Sequence, residues 1–176
     1  MGCDYCDIAK EKVRSQVVYE DDKVIAVVAD LASSPGQVRL FPKEHHTILE
    51  LMPDSLAHHL FRIANKLSIA LFESLGAQGT NIVIQNGTAA GQTIPHFCIN
   101  IIPRAEGDGL NLQWKPKQLL EEELDTAYLA LKDEGDKLVL GKEEKKREVF
   151  KDKKTEMVVE KQDEENYLLK QLRRVP

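Results

Sequence analysis

Short apolar runs flank one helical stripe in the first hundred residues, and this order predicts the elements. Val17-Val18-Tyr19 and Lys23 to Val28 read as two strands around the acidic turn Glu20-Asp21-Asp22. The loop Ser33-Ser34-Pro35-Gly36 leads into Gln37-Val38-Arg39-Leu40-Phe41, a third strand that stops at Pro42. Leu56, Leu60, Ile63, Ala64, Leu67 and Leu71 recur at helical spacing, with Asp54 or Ser55 as the cap and Gly76 as the stop. Asn81 to Gln85 and His96 to Ile102 supply two more strands. The expected class is α+β: a small antiparallel sheet packed by one long helix.

Beyond Trp114 the pattern changes, and half of residues 115–176 carry charge with the two signs interspersed. The chain therefore divides into a domain over 1–114 and a charged extension over 115–176. Lys117 to Lys132 is expected to be helical, with Leu120, Leu124, Ala127, Tyr128 and Leu131 on one stripe and Gly135 as its end. That stripe suggests docking on the sheet domain or on a partner chain. A hairpin around Asp152-Lys153-Lys154 and a last helix over Tyr167 to Arg174 are also expected. The plainer reading of the extension is a solvated appendage.

At 176 residues with 42% apolar content, the chain can bury one core. A formal charge of −5 argues against a generally basic nucleic-acid surface. No apolar stretch reaches membrane-spanning length, and no basic leader precedes an apolar segment. A cytoplasmic protein is expected. Three Cys fit a secreted disulfide framework poorly. Two of them form Cys3-Asp4-Tyr5-Cys6, and nothing upstream of Cys3 could supply the strand a thioredoxin-type site needs. Metal binding is the better reading of the pair.

Cys3, Cys6, His45 and His96 could together complete a tetrahedral zinc shell of thiolate and imidazole. His46 is the alternative to His45, because neighbouring side chains point differently. Against this stands the reading that the thiols are buried and the imidazoles only hydrogen-bond. His58 and His59 sit near the start of the long helix without a partner at metal-binding spacing, and both are assigned to its solvent face.

Candidate chemistry concentrates in Ile94-Pro95-His96-Phe97-Cys98-Ile99-Asn100-Ile101-Ile102-Pro103-Arg104. In a strand, His96, Cys98, Asn100 and Ile102 share one side while Phe97, Ile99 and Ile101 take the other. The preceding loop from Asn86 to Thr93 is rich in turn residues and can bring backbone N–H groups to an anion. Together these resemble the histidine-triad family of nucleotide hydrolases and transferases, whose signature is three His at alternate positions after a Gly-Gln pair. The resemblance covers roughly residues 3–114 and is sharpest at the Cys pair, Pro42 to His45, and Gly91 to Arg104. It implies the histidine-triad fold, a homodimer whose sheet continues across two chains, and zinc on Cys3, Cys6, His45 and His96.

The departures bear on activity. In the family the middle His of the triad attacks the α-phosphate, and here Cys98 holds that place while Asn100 replaces the third His. Asn cannot exchange a proton with a leaving group. A Cys98 nucleophile would need a depressed pKa, and its nearest activator is His96, which zinc would also claim. The family's ribose-binding Asp falls in register with Ala29, with Asp30 one place later. Gln37 stands where a His is common, and Gln85 where an Asn is common. Gly91-Gln92-Thr93 is kept, and the resemblance implies phosphate contacts there. Asp30, Gln37, Gln85, Gln92 and Thr93 are thus the candidate ligand-binding residues. Three readings follow: a zinc protein that binds a nucleotide or related phosphate with hydrolase activity reduced or lost; an active nucleotide hydrolase or nucleotidyl transferase using Cys98; and a non-catalytic assembly protein acting through its tail.

Overall fold

Residues 2–112 and 114–138 are described by the structure, a computed structural model. The hairpin expected around Asp152 and the helix over Tyr167 to Arg174 lie outside them. The chain divides into two units, Met1–Lys115 and Pro116–Pro176. In the first, five strands form one sheet: β1 (Val17–Glu20), β2 (Val24–Val28), β3 (Val38–Pro42), β4 (Gly79–Ile84) and β5 (Ile99–Arg104). Every neighbouring pair is antiparallel and the order is β1-β2-β3-β5-β4. With the short helix α1 (Asp4–Ala9) and the long helix α2 (Asp54–Leu75), this is the α+β architecture that the hydrophobic pattern predicts.

Register decides which side chains meet. Leu40 lies opposite Ile99, and Val38 opposite Ile101, so one face carries Val24, Ala26, Val38, Leu40, Ile99 and Ile101. Against it α2 turns Leu56, Leu60, Ile63, Ala64 and Leu71, the i, i+3/i+4 stripe of the sequence. The opposite face carries Ile25, Val27 and Phe41, where α1 lays down Tyr5. At the far end of α2, Ser68 Oγ and Thr80 Oγ1 share a hydrogen bond of 2.6 Å that ties the helix to β4. Replacing Ser68 with Ala strands the Thr80 hydroxyl, and urea unfolding should show a loss of about 1–2 kcal/mol.

Three expectations are corrected. Neither Asp54 nor Ser55 caps α2: Pro53 is the N-cap and no side chain bonds to the first turn. Its fixed φ admits the helix without a donor, while Asp54 puts a carboxylate at the positive end of the dipole. The stop at Gly76 holds, with φ +65° and its N–H on the Phe72 carbonyl. The last strand begins at Ile99, because the His96 N–H turns back to the Ile94 carbonyl and the Phe97 N–H goes to the His46 carbonyl. Alternation survives the bend: Phe97 joins the α2 side and Cys98 the α1 side. His59 is not a free solvent-facing residue. Its Nε2 lies 2.7 Å from Asp21 Oδ2, which also takes the Tyr19 hydroxyl, while Asp21 Oδ1 accepts the Lys23 and Val24 N–H groups. Burial alone would raise the Asp21 carboxyl, but these bonds outweigh it and hold it well below the usual carboxylate range. His58 is exposed.

In the second unit, α3 spans Glu121–Gly135, beginning four residues later than the periodicity suggests. Glu121, Glu122 and Glu123 form its first turn, and the Glu123 carboxylate accepts the Leu120 N–H at 3.0 Å. Leu120, Leu124, Tyr128 and Leu131 of its apolar stripe are exposed.

Candidate metal centre and strand-end cleft

Three separate segments bring four soft or borderline ligands together. Cys3 is the N-cap of α1 and Cys6 lies one turn further along it. His45 follows the Pro42 end of β3, and His96 sits just before β5. The Cys3 Sγ–His96 Nδ1, Cys6 Sγ–His45 Nδ1 and Cys6 Sγ–His96 Nδ1 distances are 3.3, 3.2 and 3.5 Å. All four ligand atoms lie within 4.8 Å of one another. A tetrahedral zinc with bonds of about 2.3 Å to sulfur and about 2.0 Å to nitrogen separates its ligand atoms by roughly 3.5 Å. The donor set and spacing fit such an ion.

The second shell fits as well. His96 Nε2 donates to the Pro42 carbonyl at 2.9 Å, which leaves the Nδ1 lone pair facing the sulfurs. Burial pulls the His96 pKa down, the Pro42 bond raises it in part, and the result favours the neutral imidazole that ligates. Burial and the neighbouring Cys3 thiol push the Cys6 thiol up, so a cation is what this pair lacks. Between the two His readings the geometry selects one. His45 joins the cluster, while His46 Nε2 lies buried and unbonded, 3.6 Å from Glu44 Oε2.

Beyond His96 a narrow cleft of about 30 Å³ opens on the α1 side of the sheet, lined in part by Gln85, Gln92, Thr93, Cys98 and Asn100. Cys98 packs against the cluster around Tyr5, and both residues line the cleft. Burial pushes the Cys98 thiol up to about 12, against the opposing pull of Tyr5, the Arg39 charge and the Leu40 N–H. His96, the expected activator, has one nitrogen on the Pro42 carbonyl and the other on the cysteines. Asn100 Oδ1 accepts from Gln37 Nε2 at 3.1 Å, and Gln37 Oε1 accepts the Ser33 N–H. Gln37 is thus buried between loop and strand, bracing Asn100.

The loop before β5 differs from the anion nest its composition suggests. Gly87 and Gly91 adopt φ of +90° and +87° around a single 3₁₀ turn, Thr88–Ala90. A Cβ on Gly91 would come within 2.7 Å of the Gln85 amide nitrogen, which can swing away, so it is φ that calls for glycine there. That turn closes on itself: the Ala90 and Gln92 N–H groups bond to the Gly87 carbonyl, and the Gly91 N–H to that of Thr88. The Gln92 side chain is spent likewise, its Oε1 on the Gly87 N–H and its Nε2 on the Thr47 and Ile94 carbonyls. These donors brace the loop.

Asp30 lies apart from the cleft, at a second cavity of about 400 Å³. Tyr5 lines both spaces. Its ring stacks on Phe41 at 4.4 Å and meets His96 edge-on at 5.7 Å, so it stands as a wall between them. Sequence reasoning passed over two residues here. Tyr5 carried a signal, an aromatic placed between two metal-ligating cysteines. Arg39 carried another, a lone charge in an otherwise apolar strand. No helix among the described residues is long and apolar enough to cross a membrane.

Comparison with known proteins places this geometry. Residues 10–107 match the model of the HIT domain. An uncharacterised HIT-like protein of Methanocaldococcus jannaschii is 36% identical over 107 residues, covering 61% of this chain and 82% of that protein. An Arabidopsis thaliana protein named adenylylsulfatase is 32% identical over 122 residues, covering 69% of this chain and 60% of its own length. The crystal structure of a zinc-bound histidine triad family protein from Mycobacterium smegmatis superposes with a TM-score of 0.61 at 28% identity, covering 77% of this chain and 98% of that one.

Proposed function

Since the chain belongs to the HIT-domain family, we propose that it is a zinc protein that binds a nucleotide or related phosphate ligand, with hydrolase activity reduced or lost. One observation carries the reading: the position that the family resemblance assigns to the nucleophile holds a half-buried thiol whose neighbouring imidazole is already engaged. Its surroundings push that thiol up to about 12, which disfavours the thiolate that would attack phosphorus. Asn100, its oxygen held by Gln37, supplies no proton to a leaving group. The triad is in this sense degenerate, its scaffold kept and its chemistry removed.

Zinc on Cys3, Cys6, His45 and His96 serves as a clasp, its Lewis acidity consumed by four protein ligands. These residues tie α1 to the ends of β3 and β5, and so fix Tyr5 over Phe41. The ligand reading draws support from the relative named adenylylsulfatase and from the two cavities that meet at Tyr5. Gln85, Thr93 and Asn100 offer neutral contacts in the cleft and Asp30 a carboxylate at the larger cavity. The proposal includes a homodimer. β4 is an edge strand with Ile82 45% exposed, a surface suited to strand pairing with a second copy. It also includes residues 1–114 as the functional domain, 115–176 as an extension, and a cytoplasmic setting, which suits three free cysteines.

One titration decides. Purine nucleoside monophosphates and dinucleotides are added to the purified chain, with heat of binding and ester cleavage followed in parallel. Binding without turnover is expected, in the parent and in Cys98→Ala alike. Turnover that vanishes in Cys98→Ala would establish the thiol as nucleophile instead, and silence in both channels would leave the tail-directed assembly role.

A further inference from the structure

The two spaces on either side of Tyr5 differ in charge. No Lys or Arg lines the strand-end cleft, and its loop has turned the Ala90, Gly91 and Gln92 donors inward. Two guanidinium groups, Arg14 and Arg39, line the larger cavity. Resting on the reading that this chain takes a phosphate-bearing ligand, we propose that Arg39 and Arg14 hold the ligand's anionic group in the larger cavity, away from the loop at Gly91 to Thr93.

Arg39 is built for this. It projects from β3 with its side chain 23% exposed, and its Nη2 is anchored on the Leu31 carbonyl at 2.6 Å. Asp30 comes only to 3.5 Å of Nη1, and its carboxylate is 89% exposed with one oxygen on the Leu31 N–H. Such a solvated contact leaves the fork largely free to engage a planar oxyanion. Arg14 makes no ion pair among the described residues. Around them the Val13, Val27, Ala29 and Tyr5 side chains give an apolar lining. The ligand class is accordingly an oxyanion joined to a planar or apolar body, of which a nucleoside monophosphate is one. Charge-assisted bonds to Arg outweigh those a neutral hydroxyl or amide can offer, so the phosphate should follow the guanidinium groups.

Calorimetric titration of the full chain with AMP, and separately with inorganic phosphate, tests the assignment. Arg39→Leu should weaken both by at least about tenfold, Arg14→Leu by several-fold, and each by more than Thr93→Val. Binding should also weaken with added salt. If Arg39→Leu fails to fold, Arg14→Leu at the exposed rim and Arg39→Lys, which keeps charge but loses the fork, decide the matter. Parent-like binding in both arginine variants, or a larger loss in Thr93→Val, overturns the subsite while leaving the nucleotide reading intact. A parent chain that binds neither probe nor any other nucleotide removes that reading and the subsite together.

Discussion

Purified chain never exposed to chelator should carry about one zinc, and Cys3→Ala with Cys6→Ala should abolish it. The same double substitution should lower the melting temperature by about 15 °C. A metal present at ~1,000 times its Kd stabilises by about 4 kcal/mol, and each kcal/mol shifts a domain near this size by about 4 °C. The loss has a structural route. Without the clasp, nothing ties Cys3 and Cys6 to His45 and His96, and the Tyr5 ring loses its seat on Phe41. Acid should mimic the substitution. The Cys6 thiol is raised by burial and by Cys3, so metal binding must displace protons from these sulfurs. Apparent affinity therefore falls as pH falls, by up to about a hundredfold per unit when two protons are taken back. Elemental analysis that finds no metal at pH 8, or a double variant that melts with the parent, would remove the clasp.

Much of this was legible because periodicity encodes it directly. Leu56, Leu60, Ile63, Ala64 and Leu71 announced α2 and all five reach the core. Gly76 announced its end, since only a residue tolerant of the left-handed region closes a helix that way at little strain. The four metal-ligating candidates were legible as residue types, but their assembly is a tertiary fact. Adjacent His45 and His46 differ only in where the chain after Pro42 aims them, and no local rule reaches that. His59 was misread for a similar reason, because its partner Asp21 lies 38 positions away on the β1–β2 turn. The loop from Asn86 to Thr93 was misread differently. Turn composition shows that N–H groups can converge, but whether they face outward depends on acceptors, and here the Gly87 and Thr88 carbonyls take them. Arg39 was visible all along as the charge inside β3, yet its meaning needed the cavity beside it.

Restoring imidazole at both altered positions is the change that should move activity furthest. Cys98→His with Asn100→His places a neutral, unprotonated nucleophile and a proton donor where the thiol and carboxamide stand. General acid–base help alone contributes roughly 10²–10⁴-fold, so phosphoramidate hydrolysis, followed by phosphorus NMR, should rise by about that factor over the parent. The rate should climb from pH 5 to 7 as the new imidazole at 98 loses its proton. Gln37 can donate to a ring nitrogen at 100 much as it donates to Asn100 Oδ1, so the brace carries over. Tyr5 is the obstacle, since it lines the same narrow cleft as the side chain at 98. Tyr5→Phe added to the double variant should therefore raise the rate again. If the triple variant still binds AMP yet stays inert, and Arg39→Leu in that background then releases activity, the guanidinium holds the phosphate out of reach of position 98. Inertness that persists with the phosphate so freed would mean that residues other than 98 and 100 bar the chemistry, and the two replacements would cease to explain the silence.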